Sequence, residues 1–312
     1  MKIISEISEL PAEELALTTG FFDGVHNGHR YLIAHLQEIA QKEHLSSAIL
    51  TFWPHPRTVL HEDYQPKLIN TLDEKRMQLG KLTADYAILI PFTMELAKYS
   101  AWDFMKSFLK ERLNVRHLVI GYDHRFGHNR ENGFEDYEKY GNELGMDVTQ
   151  APTFKCDGKS ISSSLIRRLI AAGNIKDANR YLGYNYSIQG EVVHGKHIGA
   201  TIGFPTANLS VFDANKIIPS VGVYAVRIHN RGRILDGMAC IGTRPTFEDE
   251  GQPTIEVNIF DLNENLYAEE MTVEFIAYVR PQSKFASKER LFDQLNKDRE
   301  TVQAILRGKK IL

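Results

Sequence analysis

Residues Gly20 to Arg30 read GFFDGVHNGHR, straight after the apolar run Leu15-Ala16-Leu17-Thr18-Thr19. The run is too short for a typical helix and rich in aliphatics, as a strand buried on both faces should be. Gly20 and Gly24 let the backbone bend sharply and approach a ligand closely. A helix opening near Gly28 then points unpaired N–H groups and its positive dipole end at that ligand. His26 and His29 stand three residues apart, spaced to donate to one anion. Taken alone, His-x-x-His is more often a turn with two surface histidines. Its place between a strand and a helix favours phosphate. It is a poor zinc motif, with no third ligand in view and no His-Glu-x-x-His.

The same unit recurs outward from this turn. Strands are expected at Ala48–Phe52, Tyr86–Ile90 and Leu118–Ile120. Helix signals lie between them. Leu32, Leu36, Ile39 and Ala40 share one helical face. Thr71 with Glu74, and Ser100 with Asp103, read as capping boxes. Alternation of this kind predicts a parallel sheet covered by helices. Near Gly183-Tyr184-Asn185 the pattern changes. GEVVHG, VGVYAVRI, ILDGMACIG, TIEVNIFDL and MTVEFIAYV alternate as half-buried strands do, and predict an antiparallel sheet or small barrel. An amphipathic helix with Leu291, Leu295, Val302 and Ile305 on one side follows. The expected domains are 1–184 and 185–312.

The bulk numbers bound the rest. The chain has 312 residues, a formal net charge of -3 and two cysteines without metal-ligand spacing. No bulk attraction to nucleic acid or membrane follows, and the basic stretch His124 to Arg130 reads as a solvated loop. The expected home is the cytoplasm. The oligomeric state is not legible.

Three further segments fall where an α/β sheet presents loops to a shared site: TFWPHP from Thr51, GYDHRFG from Gly121 and SSSLIR from Ser162. The serines read as a helix cap or, with Arg167 one turn on, as a second anion cradle. Together GFFDGVHNGH, TFWPHP, GYDHRFG and ISSSLIR resemble the adenylyltransferase half of the bacterial bifunctional riboflavin kinase/FMN adenylyltransferases (FAD synthetases). The resemblance covers residues 1–182 and implies a Rossmann-like nucleotidyltransferase domain. By it, His26, His29, Ser164 and Arg167 bind ATP, with Gly20, Phe22, Asp23, Gly24 and Ser163 lining the phosphates. Asp123 and Phe126 would lie near nucleotide and flavin. AMP would pass to FMN, giving FAD and pyrophosphate. No activated nucleophile is apparent, and direct attack of one phosphate on another needs none.

Residues 190–209 read GEVVHGKHIGATIGFPTANL. Gly195, Gly199 and Gly203 suit a flexible loop over phosphates. Thr206 and Asn208 offer hard oxygens two residues apart, on one side of an extended segment, appropriate to Mg2+. A glycine-rich hairpin with a polar turn is the plainer reading. GEVVHG, GFPTANL, GVYAV, IGTRPTF, IEVNIFD and Arg280-Pro281 resemble the riboflavin kinase half of the same enzymes, a small Greek-key β-barrel with a C-terminal helix. That resemblance implies Mg2+ and ATP at Thr206 and Asn208. It also implies that Glu256 activates the riboflavin 5′-hydroxyl, though by pattern alone Glu256 is equally an outward-facing strand residue. Ala200, Cys240, Asn258, Ala268 and Gln282 depart from the family pattern. They leave open an adenylyltransferase with a kinase-silent barrel, and a non-catalytic flavin-binding regulator.

Overall fold

The computed structural model describes residues 1–60, 65–194, 203–243 and 253–308. The chain divides into two compact units, Met1–Ser163 and Ser164–Leu312. The first is built on six parallel strands: β1 (Lys2–Ile4), β2 (Leu15–Thr19), β3 (Ser46–Trp53), β4 (Tyr86–Pro91), β5 (Val115–Ile120) and β6 (Asp147–Gln150). Their order is β1-β4-β3-β2-β5-β6. The four expected strands are the inner four. The edges β1 and β6 are only three and four residues long, too short to stand out as aliphatic runs.

Alternation along β2 fixes both faces. Leu15 and Leu17 join Leu50, Ile88, Leu118, Phe104 and Tyr137 in one core. Ala16 turns the other way, toward Leu36 and Ala40 of α1 (Asn27–Glu43). Ile33 of α1 packs with Phe22, Ile49 and Ala87, widening the expected apolar face. Shorter helices α2 (Pro56–Leu60), α3 (Leu72–Gly80), α4 (Met94–Ala97) and α5 (Ala101–Asp103) follow. Thr71 and Glu74 form the expected reciprocal capping box on α3. Ser100 caps α5 by accepting from the Asp103 N–H, but the Asp103 carboxylate takes the Ser100 hydroxyl rather than a backbone N–H. A π-helix, Phe104–Arg112, continues α5, and α6 (Phe134–Leu144) precedes β6. A hairpin of β7 (Lys155–Cys156) and β8 (Lys159–Ser160) ends the unit.

The second unit opens with α7 (Ser163–Ala171) and α8 (Ile175–Leu182). A closed antiparallel barrel follows: β9 (Ser187–Val193), β10 (Ala207–Val211), β11 (Gly222–Asn230), β12 (Arg233–Thr243), β13 (Pro253–Ile259) and β14 (Glu270–Arg280), in the order β10-β13-β12-β11-β14-β9. Ala239, Ile241, Ile255 and Val257 are almost wholly buried, while Cys240 and Glu256 between them are half-buried on the opposite face. α9 (Lys288–Leu306) sets Val302 and Leu306 against Met238, Ala225, Phe204 and Phe260, with Leu295 and Ile305 beside them.

Candidate active site

In the first unit the chain runs from β2 to β3 and β4 on one side, then crosses to β5 and β6 on the other. Order reverses at β2, and ligands of open α/β sheets bind at such a point, outside the carboxyl ends of the strands. The opening turn follows β2, and Gly121–Gly127 follows β5.

The turn is held in an unusual backbone state. Phe22, Gly24 and Val25 have φ of 53°, 83° and 38°. Two of these are side-chain-bearing residues in the left-handed region, a strain that surrounding structure must over-determine. Gly20 N–H donates to the Leu50 carbonyl at 3.0 Å, and the Thr51 hydroxyl donates to the Phe21 carbonyl at 3.1 Å. The buried Asp23 carboxylate accepts from Ile69 N–H at 3.0 Å and Asn70 N–H at 3.2 Å. Ser163 Oγ donates to the Asp23 carbonyl at 2.9 Å. Asp23 and Ser163, expected near phosphate, thus also brace the turn.

His26 is the N-cap of α1: its Nδ1 accepts from His29 N–H at 3.3 Å. A neutral imidazole that accepts at Nδ1 carries its proton on Nε2, so His26 keeps a donor. Its ring stacks on His29, centroids 3.6 Å apart and planes 14° apart. Gly28 leaves room for this packing, because a Cβ there would press on the His26 ring at 3.2 Å. Phe22 meets the His29 ring edge-on at 5.0 Å. His29 Nδ1 is buried without a hydrogen-bond partner among the described residues. Burial, then the charges of His26, Lys75 and His124, hold the His29 pKa well below its ordinary value.

Lys75, not singled out from the sequence, belongs to this cluster. Its Nζ donates to the Phe52 carbonyl at 3.2 Å and lies 3.9 Å from the Phe21 ring centre. Phe21 in turn meets His55 edge-on at 4.3 Å and stacks on Trp53 at 6.1 Å. Burial lowers the Lys75 pKa to about 7, with Asp23 working against it. Nothing in the run Asp73-Glu74-Lys75-Arg76 marks one cation as buried; the pattern reads as a solvated helix face.

In the turn after β5, Asp123 is exposed and beside His124. Phe126 is committed to packing: it stacks on Tyr137 at 4.2 Å, and its N–H donates to the Tyr137 hydroxyl. Gly127 has φ 87°, and a Cβ there would lie 2.6 Å from Ala101 N. Ser164 is exposed and Arg167 half-buried, one turn apart on α7.

In the second unit Asn208 lies directly opposite Glu256, and Glu256 directly opposite Cys240, so the three share a face across β10, β13 and β12. Asn258, two residues beyond Glu256, donates from its side-chain amide to the Pro205 carbonyl at 2.7 Å, which fastens the segment carrying Thr206. Burial, then Glu256, pushes the Cys240 thiol up, away from the thiolate form. The Arg280 guanidinium beside it is gripped by the buried Asp298 at 2.6–3.0 Å. Gly203 is exposed; Gly195, Gly199 and Ala200 lie outside the described residues.

Residues 9–165 match the FAD synthetase family and residues 182–306 the riboflavin kinase family. A bifunctional riboflavin kinase/FMN adenylyltransferase of Listeria monocytogenes is 38% identical over 289 residues, covering 92% of this chain and 91% of that protein. One of Escherichia coli (strain K12) is 37% identical over 301 residues, covering 96% and 95%. The chain belongs to the bifunctional riboflavin kinase/FMN adenylyltransferase family.

A solved structure described as a macrolide-efflux protein from Streptococcus pneumoniae shares the whole architecture of this family member. It is 31% identical, covers 97% of this chain and 98% of its own, and has a TM-score of 0.86. No helix among the described residues is long and apolar enough to cross a membrane. Only Glu43, His117 and Asp147 cluster with metal-ligand spacing among the described residues. His117 is already satisfied there, by Glu43 at Nδ1 and Thr149 at Nε2.

Proposed function

We infer that the chain phosphorylates riboflavin to FMN, then transfers AMP from ATP to FMN, giving FAD and pyrophosphate. The observation that carries this reading is the stacked His26–His29 pair at the mouth of α1, at the switch point of a sheet joined to a kinase-type barrel.

In the first unit, an FMN phosphate oxygen attacks the α-phosphorus of ATP, and pyrophosphate departs. The protein's part is alignment and charge stabilisation. The His26 Nε2–H, the His29 ring and the α1 N-terminus face the charge that builds on the departing oxygens. Ser164 and Arg167 serve as further phosphate donors. Asp123 and Phe126 border the flavin.

In the second unit, Thr206 and Asn208 hold Mg2+, a fit supported by their hard oxygen donors and by Asn208 facing Glu256. The ion neutralises nucleotide phosphate charge when bound. Glu256 orients the riboflavin 5′-hydroxyl and accepts its proton late. Gly195, Gly199 and Gly203 belong to the loop over the phosphates. The functional boundary is taken at residue 184, just past Gly183, which ends α8 in a left-handed conformation. The substrates are small molecules, and a cytoplasmic setting suits them and the two free cysteines. The face shared by Asn208, Glu256 and Cys240 favours a working kinase half over a silent one.

Incubation with riboflavin, ATP and magnesium, followed by separation of products, tests the reading. FMN appears first and FAD follows. FMN with no FAD removes the adenylyl transfer; no enzyme-dependent product removes the kinase activity, and the adenylyl transfer is then tested alone with added FMN.

A further inference from the structure

The adenylyl-transfer reading leaves one half-buried imidazole in the turn after β5 without a task. His124 Nε2 is buried and has no hydrogen-bond partner among the described residues. Its backbone N–H is occupied, donating to the Gly121 carbonyl at 3.0 Å. The ring stands 6.2 Å from Phe126, tilted, so it is not stacked into the core as Phe126 is. Buried polar nitrogens are almost always paired, and each exception asks for a reason.

A second orphan supplies it. His29 Nδ1 is also buried and unpartnered, and His124 is close enough for its charge to act on His29. β5 is the neighbour of β2, so the two rings rise from adjacent strand ends at the switch point. Two buried, unpaired imidazole nitrogens carried by turns at neighbouring strand ends are suited to a ligand rich in acceptors and poor in donors. The phosphate chain of a nucleotide is such a ligand. The groups around His124 favour its neutral, single-donor form: burial and Arg130 push its pKa down to about 4, against Asp123.

We propose that His124 is a further binding residue of the adenylyl-transfer site, donating from Nε2 to the phosphate chain that His29 also meets. This rests on the adenylyl-transfer reading of the first unit. Nothing in the barrel takes part in it, so riboflavin phosphorylation is the internal control.

The test compares His124→Phe, which keeps ring size and loses the donor, with His124→Gln, which keeps an N–H donor at similar reach. FMN and ATP are the substrates, and FAD is measured. The expected result is a fall of tenfold or more in kcat/KM for His124→Phe, with His124→Gln keeping most of the parent value. Melting temperature and riboflavin phosphorylation stay at the parent level in His124→Phe. A purely packing role predicts the reverse order, because phenylalanine removes an unpaired buried nitrogen. The proposal is overturned by His124→Phe within threefold of the parent, or by both variants falling equally. A parent that makes no FAD sinks the functional reading instead. Should His124→Phe fail to fold, ring 15N NMR of the full chain decides. Inorganic pyrophosphate should shift the His124 Nε2 resonance, and an unmoved resonance overturns the proposal.

Discussion

His26 does two jobs that different substitutions separate. Its Nδ1 caps α1, and its ring belongs to the proposed phosphate site. Asparagine is a strong N-cap but carries no imidazole. His26→Asn should therefore lose FAD formation at an unchanged melting temperature, whereas His26→Ala should lose both, with a stability loss of about 1 kcal/mol. Assays of FAD formation beside thermal melts check this. Lys75 offers a pH test. Its pKa in the folded chain is about 7, below the ordinary 10.5. The folded state is therefore penalised in full below pH 7. The penalty fades as pH rises toward 10.5, by about 1.4 kcal/mol for each pH unit crossed in that window. Lys75→Met should raise the melting temperature more at pH 7 than at pH 9.5, while weakening FAD formation. A gain that is equal at both values contradicts the buried-charge account. His26 and His29 were legible because glycines and a strand-to-helix change framed them. Lys75 and His124 were not, since burial of a polar side chain leaves no periodic trace in a single sequence.

At the scale of elements, the four inner strands announced themselves as aliphatic runs buried on both faces. β1 and β6 each have a single neighbour, and sequences such as Asp147-Val148-Thr149-Gln150 carry no such run. The Ser100–Asp103 pair shows the same limit: the spacing gave the helix start, but the aspartate bonded the cap's hydroxyl, a choice made by rotamers. In the barrel, Asn258 departs from the family pattern yet has a clear task in holding Pro205. Asn258→Ala should loosen the Thr206 segment and raise the KM for ATP several-fold in riboflavin phosphorylation, leaving FMN adenylylation untouched. Measuring both reactions on one preparation checks it.

Over the whole molecule, the change from aliphatic runs to strict alternation near residue 184 was the most legible feature, because parallel and antiparallel sheets bury different faces. The compact units divide earlier, between Ser163 and Ser164, because α7 and α8 pack with the barrel, and no change of texture marks that point. Two units with separate chemistry should be separable by mutation. Glu256→Gln alone should make no FAD from riboflavin but should make it from added FMN. Mixed with His29→Ala, it should make FAD from riboflavin again, as FMN diffuses from one chain to the other. Failure of the mixture, with each variant keeping its own remaining activity, contradicts free exchange of FMN.

The central claim is that stacked imidazoles at the mouth of α1 carry the adenylyl transfer and take no part in riboflavin phosphorylation. It is tested most directly by giving His29→Ala riboflavin, ATP and magnesium and following both products. FMN should accumulate at the parent rate with FAD absent; FAD at the parent rate contradicts the claim.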